Sequence, residues 1–147
     1  MMKPACPQLN AERFRAETII QIPFHDIDSI EVAWHGHYFK YLEIAREQLL
    51  SQLDYGYRAM RDYGHAWPII EARIKYPRPL VFEQRIRVVA QLLEYENRLK
   101  IGYQIYDLTT GERTTSAWTI QVAVDRETGA MLFRSPDILF LKMGISQ

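Results

Sequence analysis

The spacing of apolar residues changes period twice along this 147-residue chain. Ala16, Thr18, Ile20, Ile22 and Phe24 alternate with Glu17, Ile19, Gln21 and Pro23. That period of two predicts a strand whose Pro23 end is unpaired or at an edge. After His35 the period lengthens. Tyr38, Leu42, Ala45, Leu49 and Leu53 recur at steps of three and four, which is one face of a helix. Phe39, Tyr41, Ile44 and Leu50 widen the apolar surface nearly all round, so this helix is expected to be buried. Gly56 and Gly64 bracket a shorter helical segment, Tyr57 to Tyr63.

Period two then returns. Ile70, Ala72, Ile74 and Tyr76 alternate with charged residues until Pro77 and Pro79 end the run. Ile86 to Leu92, Leu99 to Ile105 and Trp118 to Val124 follow, each with one set facing away from the next. Turn signals at Glu96-Asn97, Thr109-Thr110-Gly111 and Gly129 separate them. Short connections predict hairpins, and hence a four-stranded antiparallel meander after the helix. Ser135 to Met143 reads as a short helix, with Ser135 as its cap and Pro136 in its first turn. Each strand has one apolar face, and the Tyr38–Leu53 helix is the only element long enough to cover it. The expected fold is α+β: a curved five-stranded antiparallel sheet wrapped around one long central helix. Packing of the helix beside the sheet is the alternative.

Length and the lack of any linker or repeat predict a single domain over 1–147, with 1–11 as a loose N-terminal arm. Eighteen basic residues balance eighteen acidic ones, which argues against nucleic acid as a partner. No apolar run reaches membrane-spanning length, so no membrane insertion is expected, and no signal-peptide core is seen. The one cysteine, Cys6, cannot form an intrachain disulfide, which suits a cytoplasmic location. Nothing near Cys6 would lower its pKa, so it is read as a bystander.

Candidate chemistry concentrates between the first strand and the helix. His25, Asp26, Asp28, His35 and His37 fall within thirteen positions. Asp28 precedes the helix by a short loop, and a helix entrance presents free N–H groups and partial positive charge. A polarised carbonyl oxygen is favoured there, with a carboxylate placed to activate water or to attack directly. The plain alternative is that Asp26 and Asp28 are turn and capping residues. Gly36 would let a backbone N–H approach a ligand closely. The histidine spacing matches no standard metal motif, so no metal is expected. Glu43 is read as a partner of Lys40 or Arg46 on the helix surface. Arg73, Lys75, Arg85, Arg87, Arg98 and Lys100 mark polar strand faces, either solvated or a landing strip for phosphates.

Phe24, Asp26, Asp28, Val32, Trp34, His35, Tyr38, Tyr41, Glu43, Ala45 and Arg46 together resemble the motif of hotdog-fold acyl-CoA thioesterases of the 4-hydroxybenzoyl-CoA thioesterase and YbgC type. The resemblance implies hydrolysis of an acyl-CoA or acyl-carrier-protein thioester to a free acid and a thiol. It implies that Asp28 is the catalytic carboxylate and that His35 polarises the carbonyl through its backbone N–H, its side chain contributing too. Trp34, Gly36, Tyr38, Arg98 and Lys100 are then the substrate-binding candidates. No cofactor is implied, and the assembly would be a homodimer or homotetramer with active sites between subunits. Ser29-Ile30-Glu31 departs from the small residues usual after the second aspartate, and His37 stands where an asparagine is usual. Two other readings share the fold: a hydratase or dehydratase on acyl thioesters, and a non-catalytic binding module for acyl thioesters or carrier proteins.

Overall fold

Five strands hydrogen-bond in the order β1-β4-β5-β6-β3, all antiparallel, in a computed structural model that describes residues 14–145. They are β1 (Arg15–Gln21), β3 (Ile69–Lys75), β4 (Arg85–Glu94), β5 (Leu99–Asp107) and β6 (Arg113–Gln121). Between β1 and β3 lie helix α1 (Tyr38–Gln52), helix α2 (Tyr57–Asp62) and the short strand β2 (His65–Ala66). Strand β7 (Val124–Asp125) pairs with β2, and helix α3 (Asp137–Met143) follows. The expected arm over 1–11, Cys6 included, lies outside the described residues.

The alternating residues of β4 and β5 do what their period predicts. Ile86, Val88, Ala90 and Leu92, with Leu99, Ile101, Tyr103 and Ile105, form one buried face. Tyr38, Tyr41, Leu42, Ala45 and Leu49 of α1 join the same core. The helix lies chiefly against β1 and β4. Ala45 is wholly buried, and its small side chain suits a close approach of helix to sheet. Burying each of the larger side chains contributes roughly 1.5–3 kcal/mol.

Four expectations need correction. The meander has three strands, β4 to β6, because β3 pairs with β6 at the far edge and β1 pairs with β4. Helix α1 is not buried all round: Phe39 and Ile44 are exposed, since the sheet covers one side only. On β6 Ala117, Thr119 and Gln121 are buried along with Ile120, Thr114 and Thr115, with the Tyr103 hydroxyl 2.8 Å from Thr119 Oγ1, while Trp118 is only partly buried and its indole lies beside Lys100. The bulk of Tyr103 leaves room for small partners opposite it. Ser135 does not cap α3: its hydroxyl donates to the Tyr95 carbonyl, and Pro136 takes the cap position without a side-chain bond.

The β1 and β3 edges are joined at one end of the sheet by two crossing segments. Residues 22–37 and 76–84 run together there, through Ile22 N–H to Gln84 O at 2.9 Å and Ala33 N–H to Leu80 O at 2.7 Å. Leu80 is wholly buried beneath them. Leu49→Ala should cost about 3 kcal/mol by leaving a cavity between α1 and the sheet. Phe39→Ala should cost a small fraction of that in a single chain, and urea unfolding of the two variants checks the contrast.

Candidate active site

The segment after β1 folds into a small hairpin. Asp28 N–H donates to Val32 O at 2.9 Å, Ile27 bridges Ala33, and Trp34 N–H donates to Asp26 O at 2.9 Å. Its tip is Ser29-Ile30-Glu31, with Glu31 N–H on Asp28 O at 3.0 Å. Glu31 sits at φ 67°, the left-handed residue of a three-residue hairpin loop. A glutamate carries strain there that a glycine would not. The unusual tripeptide therefore closes a regular turn despite its composition.

The two aspartates have opposite fates. Asp26 is buried, and both its oxygens are taken: Lys40 Nζ donates to Oδ1 and the Tyr41 hydroxyl to Oδ2, each at 2.6 Å. His25 Nε2 and His37 Nδ1 stand 3.6 and 3.9 Å from Oδ1. Burial alone would raise the Asp26 pKa. The hydrogen bonds from Lys40 and Tyr41, with the Lys40 and His37 charges, outweigh it and hold the carboxyl below the usual aspartate value. Burial, and then the Asp26 carboxylate, push the Tyr41 phenol far above its usual range, so it remains a donor. Asp28 is half-buried. Its Oδ1 accepts the Ile30 N–H at 2.9 Å, and Oδ2 meets no donor among the described residues.

Beyond the hairpin, His35–His37 form one tight turn that runs into α1. His37 N–H donates to Trp34 O at 2.9 Å. The N–H groups of His35 and Gly36 meet no acceptor among the described residues. Gly36 is fixed by packing: a Cβ there would lie 2.2 Å from Trp34 Cζ3. The half-exposed Trp34 ring also touches the rings of His35 and His37. From the crossing segment comes Tyr76, whose hydroxyl donates to His35 O at 3.5 Å and whose ring meets His35 and Tyr38 edge-on. Tyr76 was not among the sequence candidates. Its nearness to His35 depends on β3 lying at the far edge, which local periodicity does not reveal.

Of the sequence candidates, Asp28, Trp34, His35 and Gly36 share this hairpin-and-turn unit. Tyr38 does not line it from outside: it is 2% exposed and packs between Tyr41 and Tyr76. Arg98 and Lys100 lie elsewhere. Strand register puts them by Glu94, at the opposite end of β4 from Arg85 and Gln21, ~30 Å along the strand. Arg98 pairs with Glu94 at 3.0 Å, and Lys100 stands 5.2 Å from the Trp118 ring. Lys100 shares a concavity with Arg73 and Lys75, neither of which pairs with an acid among the described residues. Glu43 meets Arg46 at 3.6 Å, as its spacing suggests. No helix among the described residues is long and apolar enough to cross a membrane.

A profile of the thioesterase-like superfamily matches residues 22–139, which includes the hairpin, the turn and all of the sheet except β1. The chain belongs to that superfamily. It is accordingly a thioester hydrolase with a hotdog fold, and acyl-CoA thioesterase activity is the family-level function. A Bacillus subtilis relative named as an acyl-CoA thioesterase, YneP, is 26% identical over 110 residues, covering 74% of this chain and 79% of that one. A Synechocystis relative named as an esterase, sll0410, is 27% identical over 124 residues, covering 84% and 75%. The crystal structure of a DHNA-CoA thioesterase from Staphylococcus aureus superposes with TM-score 0.75 at 22% identity, covering 81% of this chain and 80% of that one.

Because the Asp26 pKa lies below the free value of 3.8, folding favours its ionised form. That stability is full above 3.8 and is lost as pH falls through the lower folded pKa. Asp26→Asn should lower stability at pH 7 and flatten the fall below pH 4. Asp26→Ala, which also orphans the Tyr41 hydroxyl, should cost about 2–3 kcal/mol at pH 7. Denaturant unfolding from pH 2.5 to 7 measures both.

Proposed function

We propose that this thioesterase hydrolyses an acyl-CoA with Asp28 as the catalytic carboxylate and the His35 and Gly36 N–H groups as the oxyanion donors. The single observation that carries this is the contrast between the aspartates. Asp26 is consumed by Lys40 and Tyr41, whereas Asp28 keeps Oδ2 unengaged on a hairpin that Asp26 ties to the helix entrance. In the general-base route, Asp28 takes a proton from water as its oxygen adds to the thioester carbon. The carbonyl oxygen gains negative charge, and the two backbone donors and the helix dipole stabilise it. Collapse of the tetrahedral species breaks the carbon–sulfur bond. The thiolate leaves and takes up the proton held by Asp28, giving acid and thiol.

Arg73 and Lys75 are proposed to face the phosphates of CoA, because they lie on the strand that leads into Tyr76 and have no acidic partner among the described residues. Arg98 and Lys100 would reach the same carrier only from its far end. We also propose that the functional unit is a homo-oligomer. Strand β3 has one edge on β6 and no strand on the other among the described residues, and Ile69 and Ile70 are exposed on it. Exposed apolar edges of this kind invite pairing with a second copy.

Asp28→Asn keeps a side-chain oxygen for the Ile30 N–H, so the hairpin should survive. We expect kcat on an acyl-CoA panel to fall at least about a thousandfold with little change in unfolding midpoint. Turnover within tenfold of the wild type would overturn the role of Asp28. After a single turnover in ¹⁸O-water, label in the Asp28 carboxylate shows direct attack with water opening the mixed anhydride at the aspartyl carbon, whereas the general-base route leaves Asp28 unlabelled. Ile70→Arg should shift the particle toward monomer in analytical ultracentrifugation if β3 pairs with its copy.

A further inference from the structure

Among the described residues, only two buried side-chain polar atoms lack a hydrogen-bond partner, Gln121 Oε1 and His65 Nδ1. Both residues line the same cavity. It has about 390 Å³, within the size range of small-molecule sites. Leu50, Met60, Trp67 and Val124 give it a mainly apolar wall, and Arg46 also borders it. Leu50 lies twelve residues along α1 from Tyr38, ~18 Å from the helix entrance, so this cavity is distinct from the hairpin around Asp28.

The orientation of Gln121 is fixed. Its Nε2 donates to Trp67 O at 2.8 Å, and flipping the amide would set oxygen against oxygen. Oε1 is therefore the unpaired atom, and it can only accept. Gln121 is 5% exposed and sits at the end of β6, between Leu99 and Ile69 in register. The indole N–H of Trp67 is already satisfied by the Tyr55 hydroxyl at 2.9 Å. That indole is therefore not free to turn toward Oε1. A buried acceptor left unmet is destabilising, and a ligand with a matching donor would recover that loss. His65 Nδ1 accepts or donates according to tautomer, and its residue lines the same cavity.

We propose that this cavity is a binding site for an apolar group tipped with a hydroxyl, which donates a hydrogen bond to Gln121 Oε1. Two sources share that chemistry: the far end of a hydroxylated acyl chain, or a free phenol or alcohol. The site does not depend on the role of Asp28, because binding is read without turnover. The test is calorimetric titration of the full chain with p-cresol and with toluene, which differ by the one hydroxyl. We expect p-cresol to bind about tenfold tighter or more, and Gln121→Met to bring the ratio to about one or below. Ala66→Leu narrows the same cavity without touching either polar atom and should weaken both probes. Equal binding of the two probes to the wild type, or binding of neither at millimolar concentration, overturns the proposal. So does an unchanged ratio in a folded Gln121→Met. The source is read from octanoyl-CoA hydrolysis with p-cresol present. Competitive inhibition assigns the cavity to the acyl tail, and an unchanged KM assigns it to a free small molecule.

Discussion

The buried carboxylate of Asp26 is the contact on which the rest of the candidate site depends. It stands where the hairpin meets the helix, and both its side-chain donors, Lys40 and Tyr41, lie in the first turn of α1. Its own carbonyl accepts from Trp34, on the opposite arm of the hairpin. One residue thus ties three pieces of backbone together. A carboxylate with no exposed surface is tolerable only when its oxygens are met by charged or strong donors, and here they are. That satisfaction is also why Asp26 is unsuited to chemistry. Its neighbour two positions on, held by one turn bond, keeps an oxygen unengaged.

Rigidity around the turn has a second source in packing. Trp34 lies so close over Gly36 that no side chain fits between them, and Tyr76 closes on His35 from the other side. The backbone N–H groups of His35 and Gly36 are thereby held in place before any ligand arrives. Preorganised donors of this kind stabilise developing charge without reorganisation. The thioesterase-like superfamily supplies the reaction class, and this arrangement supplies the reason to look for its machinery at the hairpin rather than at the strand cations.

The central helix borders both the hairpin and the cavity of Gln121 and His65. Its first turn anchors the hairpin through Lys40 and Tyr41. Its second half, at Arg46 and Leu50, borders the cavity of Gln121 and His65. Between the two, Ala45 and Leu49 hold the helix to the sheet. Its remaining side keeps Phe39 and Ile44 exposed.

The sequence by itself determined the elements that rest on local periodicity. The alternation in Ile86–Leu92 and Leu99–Ile105 placed those residues on one buried face, and the spacing from Tyr38 to Leu49 identified the helix stripe. The cluster from Phe24 to Arg46 marked the chemically loaded segment and its family resemblance. The tertiary structure alone decided what depends on partners distant in the chain. It sent β3 to the far edge beside β6, which brings Tyr76 against His35, and the β1–β4–β5 register separates Arg98 and Lys100 from Asp28. On β6 it buried Thr119, which meets the Tyr103 hydroxyl, and Gln121, which bonds the Trp67 carbonyl, and it set Trp118 beside Lys100. It also ranked the two aspartates, which are alike in type and two residues apart. Period and composition report which faces a segment can offer. Which donor reaches which carboxylate is fixed only when remote segments compete for the same buried space.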